Sequence, residues 1–136
     1  MLKVVVDTNV LISGLLGSGS SSAILDIWRN KRFVLVISSD LLNELIVSLV
    51  KPKISKRFSK IVSQSLLELI EERAVFIDPK IKLEVCRDSK DNKVLECAVE
   101  GNADIIVTGD NDLLSLHPFR GVDILPPSEL LKRLKK

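Results

Sequence analysis

Apolar residues fall in five short runs of strand length: 2–6 (LKVVV), 33–37 (FVLVI), 75–77 (VFI), 104–107 (DIIV) and 122–125 (VDIL). Between them, 9–15, 20–31, 39–50, 54–73, 90–101 and 128–135 carry apolar positions at helical spacing. Strands that alternate with helices predict βαβ units and a parallel sheet covered on both faces. Nearly continuous Val/Ile/Leu runs are what strands buried on both faces look like. With no internal repeat and no linker, 1–136 reads as a single α/β domain.

The helical spacing also sorts residues within elements. In 39–50, Leu41, Leu45, Ile46 and Leu49 form the expected inner face, and Glu44 lies on its flank beside Ser48. In 90–101 the stripe is Val94, Leu95, Ala98 and Val99. Asp91 precedes these by three, four, seven and eight positions, so it lies on the inward stripe.

The chain has 136 residues, a normal size for one domain. Aromatics make up only 4%, with no Tyr and one Trp, Trp28, so the expected core is aliphatic. The net charge of +2 does not by itself point to a nucleic acid, and any such case rests on where the charges fall. Cys86 and Cys97 form no CxxC pair, and His117 is the one histidine, which reads as structural. A Cys/His zinc site is therefore not expected. Two unpaired thiols suit a reducing cytoplasm. The N-terminus runs straight into a strand with no secretory pattern, and no apolar run approaches about 18 residues, so no membrane span is expected.

In an open parallel sheet, ligands bind outside the carboxyl ends of the strands. Asp7 ends the first run, Asp40 and Glu44 follow the second, and "VTGDND" places Asp110 and Asp112 after the fourth. Asp88 reads as the N-cap of the helix that carries Asp91. Each acid alone suits a turn, a cap or a solvated face. Together, Asp7, Glu44, Asp91 and Asp110 can converge on one cleft, where bare carboxylates repel one another. Hard divalent cations, Mg²⁺ or Mn²⁺, relieve that repulsion and can serve phosphodiester hydrolysis. The stretch 51–60 (KPKISKRFSK) holds Lys51, Lys53, Lys56, Arg57 and Lys60 with no acid. It reads either as an RNA footprint or as a solvated connection. "GSGSSS" (17–22) reads as a flexible turn; it does not directly follow a strand, so it is no dinucleotide loop.

"VVVDTNVLIS", an acid in the helix after the second strand, "DNKVLECA" and "ADIIVTGDNDLL" resemble the PIN-domain family of nucleases. Within it the chain looks like the prokaryotic branch related to VapC-type toxins of toxin–antitoxin pairs. The resemblance implies a three-layer α/β/α fold around a mostly parallel sheet of four to five strands. It implies a metal-dependent endoribonuclease using Mg²⁺ or Mn²⁺, an RNA substrate, a cognate antitoxin and a homodimer. Carried over by motif, Asp7, Glu44 and Asp91 match the first three acids and Asp110 the fourth, with Asp112 close enough to compete. Asn9 and Thr108 match polar positions that orient acids, and Asp88 assists or caps. The Leu-rich stretch 61–70 (IVSQSLLELI) suits either that dimer or burial within one subunit.

Two other readings stay in play. One is a catalytically silent PIN-like module that binds RNA or protein. The other is a phosphoacceptor signalling domain. It is disfavoured because "VVVDTN" has one acid where that class needs a doublet, Pro79 follows Asp78, and the last strand ends in "LPPS".

Overall fold

In the computed structural model, residues 1–17 and 19–135 are described; Ser18 of the Gly/Ser stretch and Lys136 of the basic C-terminus lie outside them. The three consecutive valines form most of β1 (Lys3–Val6), at the centre of the sheet. The chain continues through α1 (Thr8–Leu15), α2 (Gly19–Arg29), β2 (Val34–Ile37), α3 (Ser39–Leu49), α4 (Pro52–Ser55) and α5 (Lys60–Arg73). It then forms β3 (Val75–Phe76), α6 (Ser89–Glu100), β4 (Ile105–Val107), α7 (Asn111–Leu114), β5 (Asp123–Leu125) and α8 (Pro127–Leu134). The sheet has five strands in the order β3-β2-β1-β4-β5, and every pairing is parallel. Helices flank it, giving the expected three-layer α/β/α arrangement. The core is aliphatic as anticipated, with Leu35, Leu45, Leu95, Ile105, Ile106 and Ile124 almost fully buried.

Several local details differ from the sequence reading. The stretch 54–73 is two helices. Ser59 caps α5 by accepting the Val62 N–H at 3.4 Å, and Pro52 opens α4, so the intervening turn breaks the run. In α3 the buried residues are Leu41, Leu45 and Leu49, whereas Ile46 is exposed, because one stripe at i, i+4 and i+8 already fills the contact with the core. Helical structure in α2 begins at Gly19, so most of the supposed flexible turn is helix. Gly14 permits the close crossing of α1 and α2: a Cβ there would stand 2.7 Å from Leu25 Cδ1 and 2.8 Å from the Ser21 carbonyl.

From Ile77 to Asp88 the chain has no helix or strand, and α6 holds it with side chains. Glu100 accepts the N–H groups of Lys80 at 3.2 Å and Ile81 at 3.1 Å. Glu96 accepts that of Leu83 at 2.9 Å, and Asn92 those of Val85 at 3.1 Å and Cys86 at 2.9 Å. Positions 92, 96 and 100 lie one turn apart on one face, so they act as the edge of a substitute strand. No single helix among the described residues is long and apolar enough to cross a membrane. His117 is structural: its Nδ1 accepts the Ile124 N–H at 2.9 Å. Burial pushes the Cys97 thiol up to about 12, so it serves as a neutral core residue.

Candidate metal centre

The chain leaves β1 toward β2 on one side, while β4 lies on the other. The ends of β1 and β4 therefore flank a topological switch point, where open α/β sheets bind ligands. Val6 pairs with Val107, so Asp7 and Thr108 leave the sheet side by side. Asp7 is 7% exposed and Thr108 fully buried. Asp7 occupies the N-cap position of α1 but makes no capping hydrogen bond with its side chain. Its Oδ2 instead accepts the Thr108 hydroxyl at 2.7 Å. The same hydroxyl oxygen accepts the Asp110 N–H at 3.0 Å, so one threonine ties the two strand ends together.

Asp110 caps α7, its Oδ1 accepting the Asp112 N–H at 2.9 Å. Asp91 comes from the first turn of α6 and is 8% exposed. Asp91, Asp110 and Asp112 each offer a carboxylate oxygen, and these oxygens lie within 4.8 Å of one another. Asp112 has a further partner that sequence reasoning missed: Arg87 donates to both its oxygens, at 2.8 and 3.0 Å. Asp88 caps α6 by accepting the Lys90 N–H at 3.0 Å.

Asp7 and Glu44 fall outside that 4.8 Å set, yet the charge of Asp7 acts on both Asp91 and Glu44. Asp7 shares a cleft of about 430 Å³ with Asp110, along with Asn9, Ser13, Ser21 and Gly109. Ser13 and Ser21 were not anticipated, and only a helical wheel of α1 and α2 hints at them. Asn9 is exposed on this wall, and among the described residues its side chain makes no hydrogen bond to Asp7; only its backbone N–H favours the Asp7 carboxylate. Glu44 projects from α3 into a neighbouring groove with Lys51, Lys90 and Lys93. The basic stretch is divided: Lys51 reaches that groove, Lys60 lines an apolar groove beside Phe58, and Lys53, Lys56 and Arg57 are exposed around α4.

The electrostatics record crowding. Burial raises the proton affinity of Asp7; the Thr108 hydroxyl opposes this most, and Asp110 adds to the rise. Glu44 is raised by partial burial and then by Asp7, with Lys90 opposing. Burial, a side-chain hydrogen bond with Asp110 and that residue's charge push the Asp91 carboxyl up to about 7. Carboxylates this close resist full ionisation without a counter-charge. Three oxygen donors at this spacing suit a hard divalent cation such as Mg²⁺ or Mn²⁺.

A family model described as PIN domain matches residues 3–112. An uncharacterized protein of Methanocaldococcus jannaschii is 38% identical over 120 residues, covering 85% of this chain and 76% of that protein. Among solved structures, PAE2754 from Pyrobaculum aerophilum aligns with a TM-score of 0.66 at 19% identity, over 98% of this chain and 90% of that one. VapBC2 from Rickettsia felis, bound to a DNA fragment from their promoter, aligns at 0.58 and 20%, over 90% and 97%. FitAcB from Neisseria gonorrhoeae aligns at 0.58 and 20%, over 92% and 98%. At these identities the structural likeness is one of fold.

Proposed function

The chain belongs to the PIN-domain family, and on that premise we propose that it is an endoribonuclease dependent on Mg²⁺ or Mn²⁺, the toxin of a toxin–antitoxin pair. The observation that carries this reading is the Asp91–Asp110–Asp112 cluster beside Asp7 at the switch point of the sheet. Asp7, Asp91 and Asp110 would hold the ion, with Asp112 or Glu44 completing the set. A divalent cation held there supplies Lewis acidity toward a phosphodiester and its attacking water.

The protein's own groups do the positioning. Thr108 aims Asp7, and through the Asp110 N–H it fixes the start of α7. Asp88 starts α6 so that Asp91 points inward. Glu44, with its raised proton affinity, is suited to take a proton at the rim of the pocket. Arg87 holds Asp112, which favours Asp110 over Asp112 as the fourth acid.

The solved VapBC2 and FitAcB structures support a protein partner, an antitoxin. The apolar groove formed by Ile46, Val50, Phe58 and Leu67 supports a homodimer through α3 and α5. The test of the main reading is cleavage of RNA with and without added Mg²⁺ or Mn²⁺. The native chain is expected to cleave only with metal and Asp7→Asn to lose cleavage. Equal cleavage by both overturns the assignment.

A further inference from the structure

The acidic pocket presents a problem for the substrate proposed for it. Asp7, Asp91, Asp110, Asp112, Asp88 and Glu44 repel the phosphates of an incoming strand. A held cation neutralises only its immediate surroundings, so the flanking phosphates need cations of their own. The groove of about 340 Å³ between α3 and the start of α6 contains Glu44, which feels the charges of Asp7 and Asp88 in this pocket. It is lined by the acids Asp40 and Glu44, the lysines Lys51, Lys90 and Lys93, and Asn43 and Ser48.

Its three lysines are not equivalent. Lys93 is engaged, 3.7 Å from Asp40 and 3.5 Å from Glu96. Lys51 and Lys90 form no ion pair among the described residues, and both are exposed. Both face Glu44 closely enough to stabilise its charge. Lys51 lies between the C-terminal cap of α3 and the start of α4, whose N-cap it is, so the two helix ends act on its charge in opposite senses. Lys90 lies in the first turn of α6, where the dipole disfavours a cation. It gains no ion pair in return, so its position favours a ligand that is itself anionic.

We propose that Lys51 and Lys90 bind two backbone phosphates of the RNA next to the cleavage point, so that one arm of the strand lies along the α3–α6 groove. Asn43 and Ser48 line the same path as neutral hydrogen-bonding groups. This rests on the nuclease reading and deepens it: the footprint is a Lys51/Lys90 pair, not the whole 51–60 stretch. Lys53, Lys56, Arg57 and Lys60 lie away from this groove.

The test compares the native chain, the pair Lys51→Ala/Lys90→Ala, and the control pair Lys53→Ala/Lys56→Ala, all four positions being exposed. Steady-state cleavage of a single-stranded oligoribonucleotide with Mn²⁺ is measured first. The groove pair is expected to raise KM about tenfold with kcat near native, and the control pair to leave both unchanged. Binding of the same labelled oligonucleotide by fluorescence anisotropy across salt concentrations is measured second. Removing two phosphate contacts is expected to lower the log–log salt slope by roughly 1.4, from about 0.7 per contact on a single strand. Equal behaviour of the two pairs, in either direction, overturns the proposal. If the native chain cleaves no RNA, the nuclease reading falls, and anisotropy alone decides the groove. Weakened binding specific to Lys51→Ala/Lys90→Ala then supports it, while unchanged binding, or no binding by the native chain, overturns it.

Discussion

Asp91 and Glu96 are buried to similar depths on the same helix, 8% and 5% exposed. Glu96 has its charge met from within the chain. It accepts the Leu83 N–H at 2.9 Å and lies 3.5 Å from the Lys93 ammonium. Asp91 has no cation within ion-pair distance among the described residues, and Asp110 crowds it. Burial of an acid is therefore not the mark of a site. A buried carboxylate with donors and a cation holds structure together, and one facing other carboxylates calls for a charge from outside the chain.

Exchanging each acid for a neutral residue separates the two roles, and the largest effect is expected at Asp91. Asp91→Asn keeps the side-chain shape and is expected to reduce metal-dependent cleavage by about 10²–10³-fold, equivalent to losing several kcal/mol of charge stabilisation. Glu96→Ala is expected to keep near-native cleavage below its melting transition while losing about 2 kcal/mol of stability, because the Leu83 N–H is left unmet. Initial cleavage rates and urea midpoints on both variants check this. A Glu96→Ala protein that is stable and inactive would reverse the assignment of roles.

The contrast between the two acids also marks what the sequence could not disclose. Asp91 was legible because an acid on an apolar stripe is out of place. Glu96 sits one position beyond Leu95, on the face expected to be solvated. Only the return of residues 80–86 across α6 buries it, and that contact is tertiary. The split of 54–73 was hidden for a local reason. Ile54, Phe58, Val62, Leu66 and Ile70 continue at i+4 straight through the break, so periodicity saw one helix where Ser59 starts a second. Strand identity was legible for the opposite reason. Runs such as VVV and IIV are buried on both faces, and burial on both faces leaves no other use for them. Lys90 was open to notice, as a cation in a first turn, but the groove it borders is made jointly with α3.

Thr108 sharpens the comparison from the side of the sheet, since it does for Asp7 what the Leu83 N–H does for Glu96, with no ammonium beside it. Its hydroxyl is both the donor to Asp7 and the acceptor for the Asp110 N–H. Thr108→Val keeps the volume and removes both bonds. Cleavage is expected to fall about 10–100-fold, as when a group that orients a metal ligand is lost. Stability is expected to fall by about 1 kcal/mol. Thr108→Ser retains the hydroxyl and should recover most of the rate. A valine variant with native activity would show that Asp7 holds its geometry without help.

The smallest effect expected is the stability of the metal-free protein against pH, and its sign is the informative part. Asp91 is raised from an ordinary value near 3.8 to about 7, and Asp7 and Glu44 shift the same way. Between those values the folded chain holds more protons than the unfolded one, so stability falls as pH rises. The protein without metal should therefore be more stable at pH 5.5 than at 7.5. The Asp91 share is expected to be about 1 kcal/mol, well short of the full shift because the carboxyl borders the water-filled cleft. That corresponds to a melting shift of about 4 °C for a chain of this size. Asp91→Asn removes that share together with its coupling to Asp110, Asp88 and Asp7, so the difference between native and variant curves reads the Asp91 carboxyl and that coupling. Saturating Mg²⁺ or Mn²⁺ should reverse the slope, because the ion binds the ionised carboxylates of the folded state alone. A metal-dependent reversal that survives in Asp91→Asn would place the ion elsewhere in the cleft.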